Sequence, residues 1–105
     1  MYCDGSLHQG HSNNPIEYKD TRLYFRGADN TRSHIKWMFD KYKINQAEKV
    51  LFTGASAGGS AAYTWSNYVR KLMDNPKNLY TVADSCIFAN VSLPKTSTYV
   101  YSSYA

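Results

Sequence analysis

The stretch Lys49-Val-Leu-Phe-Thr-Gly-Ala-Ser-Ala-Gly-Gly59 joins an apolar run directly to a cluster of small residues. The run lies between Glu48 and Gly54 and shows no polar alternation, which predicts a short strand buried on both faces of a parallel sheet. Beyond the small residues, Ala61, Ala62, Trp65, Val69 and Leu72 line one face of a helix expected from about Gly58 to Met73. Arg70 and Lys71 suit its negative end, and Asn75-Pro76 stops it. Leu79-Tyr-Thr-Val-Ala83 then reads as a second buried strand. Strand, helix and strand in this order predict a parallel sheet with crossover helices.

Upstream, Ile35, Met38, Phe39 and Tyr42 fall at i, i+3, i+4 and i+7 and predict a helix with one apolar face. Asp29 or Asn30 is expected to cap it, and Lys41 and Lys43 sit near its negative end. Residues 1–30 are rich in turn residues, with one strand-like run at Leu23-Tyr-Phe25. The expected class is therefore α/β: a βαβαβ segment of parallel sheet with flanking helices. Residues 91–105 break the pattern, being rich in Ser, Thr and Tyr, and read as a loose tail or an edge strand. The organisation expected is one partial domain over 1–90 and a divergent tail over 91–105.

With 105 residues, 43% hydrophobic and 19% charged, the chain reads as one small globular unit rather than a disordered one. Its net charge of +4 is spread thinly, with no basic run or nucleic-acid motif, so no nucleic-acid partner is expected. No apolar stretch reaches the ~20 residues of a membrane span, and Met1-Tyr-Cys-Asp-Gly5 lacks the basic start and apolar core of a signal peptide. Cys3 and Cys86 fix no redox compartment, and their pairing stays open. Asn90-Val-Ser92 is a glycosylation sequon, relevant only to a secreted protein. No metal or cofactor is expected.

Gly54-Ala-Ser56-Ala-Gly58 fits the pattern G-x-S-x-G between a predicted strand and a predicted helix. That setting places a serine on a tight turn whose glycines keep neighbouring chain clear. The turn pushes the hydroxyl out at the C-terminal end of the sheet, and the N–H of Ala57 is available to a developing oxyanion. Ser56 is thus the candidate nucleophile. A phosphate-binding turn is disfavoured because Gly54-Ala-Ser-Ala-Gly-Gly-Ser60 carries no lysine. A serine nucleophile needs a base and an acid that orients it. Asp74 and Asp84 follow Ser56, but His8, His11 and His34 all precede it. The competing reading of the small residues is a closely packed helix start without catalytic purpose.

Tyr2-Cys-Asp-Gly-Ser6, Gly10, Leu23-Tyr-Phe-Arg-Gly27, Thr53-Gly-Ala-Ser-Ala-Gly-Gly59 and Val82-Ala-Asp-Ser85, with Phe88 and Asn90, together resemble the pectin acetylesterase/Notum family. The resemblance runs from about residue 2 to residue 90, in the same order and with similar spacing. It implies a secreted α/β-hydrolase-like carboxylesterase acting on an acetylated polysaccharide or an acylated protein, with an extracellular or secretory location for full-length members. It implies Ser56 as nucleophile and Ala57 N–H as part of the oxyanion hole. The remaining oxyanion loop is implied upstream of this chain, and the catalytic Asp and His downstream. Asp84 is accordingly expected to be structural rather than the triad acid. Gly54 and Gly58 are expected in or near the pocket; His8 has two readings, a solvated loop histidine, which is favoured, or a lining of the pocket; His11 and His34 are expected at the surface, and Arg26 in a structural ion pair. The resemblance further implies that the chain is a fragment: either a piece of an active hydrolase or an inactive remnant that retains a binding pocket. It also implies that a strand missing from this chain belongs beside the strand before Ser56.

Overall fold

A computed structural model of the chain describes residues 5–86. Two elements open it, β1 (Ile16–Tyr18) and β2 (Thr21–Leu23), which pair antiparallel with Ile16 opposite Leu23. Then follow helix α1 (Gly27–Tyr42), strand β3 (Val50–Ala55), helix α2 (Ala57–Leu72) and strand β4 (Leu79–Asp84), with single 3₁₀ turns at Ile44–Gln46 and Pro76–Asn78. β3 and β4 pair in parallel, Val50 opposite Leu79 and Ala55 opposite Asp84, with α2 as the crossover between them.

The protein is thus a mixed α/β unit with a parallel strand pair, as expected, but three local expectations change. The run at Leu23-Tyr-Phe25 contributes only Leu23 to a strand, and that strand belongs to the small hairpin rather than to the parallel sheet. Helix α1 begins before its expected caps. Arg26 occupies the N-cap position without a side-chain cap, and Asp29 lies within the first turn. A tertiary bond replaces the cap, because the Ala28 N–H donates to the Gly10 carbonyl at 2.9 Å and satisfies a donor that has no partner inside the helix. Asp29, freed from capping, accepts from Nδ1 of His11 at 2.8 Å.

The third change concerns the sheet. Ile35, Val69, Met73 and Leu79 form the buried core, with Phe39, Val50, Phe52, Trp65 and Leu72 packed around it. Both helices therefore contribute to one layer, over the face that carries Val50, Phe52 and Leu79. The opposite face carries the alternate residues, and Leu51 (64% exposed), Tyr80 (55%) and Val82 (50%) stand in solvent. The expectation of strands buried on both faces fails for this reason. Apolar residues do occupy both faces, but only one has a covering layer among the described residues. Tyr42 also departs from the apolar face expected of α1. It is 61% exposed and meets Trp37 edge-on, with the Lys41 ammonium near both rings.

Candidate active site

Ser56 stands between the last residue of β3 and the first of α2, at φ 53° and ψ −118°. An L-residue with a Cβ pays about 1–3 kcal/mol to occupy so sparsely populated a region. Three backbone features hold it there. The Ser56 N–H donates to the carbonyl of Asp84 at the end of β4, at 3.0 Å. The Ser56 carbonyl accepts the Ser60 N–H at 3.0 Å, which starts the helix. Gly54 and the helix start lie so close that a Cβ on Gly54 would overlap the Gly58 carbonyl.

Serine is among the best N-cap residues when its backbone is extended and its oxygen accepts from the first helical turn. Ser56 has the position but not the backbone angles, and its side chain makes no cap bond. The hydroxyl is therefore not committed to the helix it precedes. Ser56 is exposed, while Gly59 and Ser60 immediately behind it are buried. Ala57 opens a helix whose first N–H groups have no intrahelical acceptors and whose first turn holds no acidic side chain. The positive end of the α2 dipole thus lies at Ser56, with no acidic side chain in the helix's own first turn to offset it.

The glycines divide unevenly. Gly58, the second glycine of G-x-S-x-G, has open space where its Cβ would be. Gly59 does not: a Cβ there would lie 2.6 Å from the Asp84 carbonyl oxygen and 2.7 Å from Cβ of Cys86. The close approach of helix to strand that the motif requires runs through Gly54 and Gly59. Sequence reasoning passed over Gly59, whose only signal was its place next to Gly58.

Asp84 contributes its main-chain oxygen. Its carboxylate is exposed and accepts from Oγ of Ser85 at 3.3 Å. Cys86 follows, partly buried, while Cys3 and the sequon at Asn90 lie outside the described residues. Asp74, the other acid after Ser56, binds Nδ2 of Asn45 at 3.1 Å, beyond the opposite end of α2. Arg26 donates to the Asn13 carbonyl at 3.2 Å, and among the described residues it has no ion-pair partner.

His8 lines a concavity of about 320 Å³ that also touches Thr53 and Gly58, on either side of Ser56 in sequence. Thr31, His34 and Met38 of α1 and Phe52 of β3 complete much of its wall. His34, expected only at the surface, is exposed but shares this space, and its Nδ1 lies 2.9 Å from the Asn30 carbonyl. The loop carrying His8 is fastened by groups sequence reasoning did not single out. Trp65 Nε1 donates to the His8 carbonyl at 3.0 Å, and Gln9 Nε2 donates to Ser60 Oγ and Thr64 Oγ1 at 3.1 and 3.0 Å. Among the described residues no group of three His, Cys, Asp or Glu side chains is placed to hold a metal, and no helix is long and apolar enough to cross a membrane.

A strand, a serine at positive φ and a helix that starts directly beneath it make a sharp strand-to-helix turn in a parallel α/β unit, the class of site found in α/β-hydrolases. Comparison with known proteins narrows the class. The pectinacetylesterase family model matches residues 1–105, and the chain belongs to that family. It is similar to pectin acetylesterase 4 of Arabidopsis thaliana, 30% identical over 91 residues, and to pectin acetylesterase 5 of the same plant, 32% identical over 91 residues. Each match covers 86% of this chain but only 22% and 21% of the respective relative, so the chain spans about a fifth of their length. No solved structure matches it significantly.

Proposed function

We propose that this chain carries the nucleophile of a carboxylester hydrolase of pectin acetylesterase type, and that Ser56 is that nucleophile. The observation that carries the reading is the conformation of Ser56, strained at positive φ between β3 and α2 with its hydroxyl not used as a helix cap. Strain of this kind persists only where surrounding structure enforces it, and it concentrates at functional sites. Membership of the pectinacetylesterase family supports the same reaction class.

In this reading Oγ of Ser56 adds to the ester carbonyl as its proton passes to a base. The oxyanion is met by the Ala57 N–H at the positive end of α2. The C–O bond to the alcohol then breaks, the alcohol takes the proton, and the acyl group remains on Ser56. Water, deprotonated by the same base, releases the acid. The substrate class is an acetylated polysaccharide, and the location extracellular. Residues 1–90 carry the hydrolase portion, with Gly54 shaping the turn, Gly58 and His8 beside it and Asp84 acting through its backbone. The base and its orienting acid are supplied by sequence outside this chain, as are the other oxyanion donors, and the 105 residues alone do not turn over.

A second reading is a noncatalytic remnant that keeps the turn and the concavity lined by His8 and Gly58. Labelling by a fluorophosphonate probe separates the two. A chain extended by its flanking gene sequence should label at Ser56 and lose the label in Ser56→Ala. A folded, extended chain that does not label removes Ser56 as nucleophile.

A further inference from the structure

Leu7 and His8 both sit at positive φ, 54° and 60°, in consecutive positions that no glycine relieves. Two neighbouring L-residues in this region are uncommon, and the surroundings must hold them. Part of the hold is local. The Gln9 and Gly10 N–H groups donate to the Ser6 carbonyl at 3.0 and 3.2 Å, and a Cβ on Gly10 would meet that of Ser6 at 2.5 Å. A second part comes from α1, where Thr31 Oγ1 donates to the His8 carbonyl at 3.4 Å and the Ala28 N–H to the Gly10 carbonyl at 2.9 Å, and a third from α2, more than fifty residues away in sequence. Both donors of the Gln9 amide are spent on it, one on Ser60 Oγ and one on Thr64 Oγ1.

Those two acceptors are not interchangeable surface groups. Ser60 is only 4% exposed, and its N–H is the one that binds the Ser56 carbonyl. Thr64 lies one turn further on and donates its own hydroxyl hydrogen within the helix, to the Ser60 carbonyl at 3.0 Å, which leaves its oxygen lone pairs for Gln9. Gln9 therefore reaches the helical turn that fixes Ser56, from a loop whose preceding residue lines the concavity at Gly58.

We propose that Gln9 is a positioning residue: its amide locks the loop of residues 6–10 to the first two turns of α2, so that His8 is presented at a fixed place beside the Ser56 turn. The proposal rests on the reading of Ser56 as nucleophile only for its catalytic consequence. The loop and the turn then form one rigid piece, and substrate meets a prearranged wall rather than a loop that must be ordered on binding. Ordering costs are avoided in the same way at other preorganised sites.

The test has two readouts. In the 105-residue chain, the His8 Cε1–H line in a proton NMR spectrum is assigned by its loss in His8→Gln. It should move toward the position of a free histidine in Gln9→Ala and, by less, in Thr64→Val. The His11 line, held by Asp29 on the surface, should stay. If the His11 line moves as well in Gln9→Ala, the chain has come apart as a whole and Thr64→Val decides in its place. In the extended chain, fluorophosphonate labelling of Ser56 should slow, by up to about a hundredfold, the loss that ~1 Å of misplacement can produce. A His8 line that stays put overturns the anchoring. A line that moves while labelling holds its rate overturns the positioning role. Absence of any labelling in the unsubstituted extended chain overturns the nucleophile reading instead, and the His8 line still judges Gln9.

Discussion

Two adjacent glycines should respond in opposite directions to the same change. Replacing Gly58 by Ala adds a methyl group into open space in the first turn of a helix. Alanine there should stabilise by about 0.5–1 kcal/mol, because glycine loses more conformational freedom when it becomes helical. Gly59→Ala makes the same gain but places its methyl carbon 2.6 Å from the Asp84 oxygen and 2.7 Å from Cβ of Cys86. Ordinary separations are about 3.3–3.6 Å for carbon against a carbonyl oxygen and ~3.5–4.0 Å for carbon against carbon. Helix and strand end must then move apart by roughly 0.7 Å to restore them. The Asp84 oxygen is the acceptor of the Ser56 N–H at 3.0 Å, and a displacement of that size breaks the bond.

Overpacking costs about 1–3 kcal/mol, and the lost hydrogen bond adds about 1 kcal/mol. Set against the helical gain, Gly59→Ala should be net destabilising by about 1–3 kcal/mol. The two alanines should therefore differ by about 2–4 kcal/mol, which separates their thermal midpoints by at least ~8 °C in a unit of this size. The assay is far-UV circular dichroism during urea and thermal unfolding, in a stabilising osmolyte so that the weaker variant still has a folded baseline. A Gly59→Ala chain as stable as Gly58→Ala would show that helix and strand do not pack as closely as described, and with it would go the account of what holds Ser56.

Ser56→Gly should stabilise the fold, since glycine occupies φ 53° without the cost of about 1–3 kcal/mol that serine bears; Ser56→Ala should leave it near neutral, and unfolding curves of the pair test this. Asp84→Asn should leave Ser56 labelling in the extended chain within a factor of about two, because the backbone oxygen that holds the turn is untouched and the proposed reading assigns the acid elsewhere; a loss of a thousandfold or more would make Asp84 the triad acid. Trp65→Phe, which removes the donor to the His8 carbonyl, should cost about 1 kcal/mol or more and raise amide exchange in residues 6–10 selectively. The isolated chain should melt broadly and at low temperature, since the described residues bury only five hydrophobic side chains and leave one sheet face bare; a sharp transition at high temperature would contradict that.

What was legible in the sequence was what depends on neighbours along the chain. The run Lys49–Thr53 matches the observed strand except for Lys49, the run Leu79–Ala83 lies within its strand, and α2 begins within a residue of its expected start because small residues and an apolar face agree. The position of Ser56 between strand and helix followed from the same signals. Contacts across space were not legible. Gln9 meets Ser60 and Thr64 over separations of 51 and 55 residues, and no local pattern announces such a pairing. Gly59 and Gly58 look alike in sequence and differ only in what the fold brings against them. Helix α1 starts earlier than nearby capping side chains predict, because the Gly10 carbonyl from a separate loop supplies the acceptor. Burial of Leu51, Tyr80 and Val82 was inferred from their hydrophobicity, which states what a residue prefers and not whether a partner is present.

Those three side chains should give the solution behaviour of the chain a dependence on its own concentration. Leu51, Tyr80 and Val82 sit on neighbouring parallel strands, Leu51 directly opposite Tyr80, so they form one contiguous water-facing apolar strip. Each molecule can shed that water by meeting another, and strand edges without a partner among the described residues supply hydrogen bonds to such an encounter. Crowding then selects between a monomer that keeps its serine accessible and associated forms in which the strip is hidden. Replacing Leu51 and Val82 with lysine and threonine leaves the opposite, packed face of the sheet intact and turns the strip polar, which makes this pair of substitutions the natural starting point for handling the protein at millimolar strength.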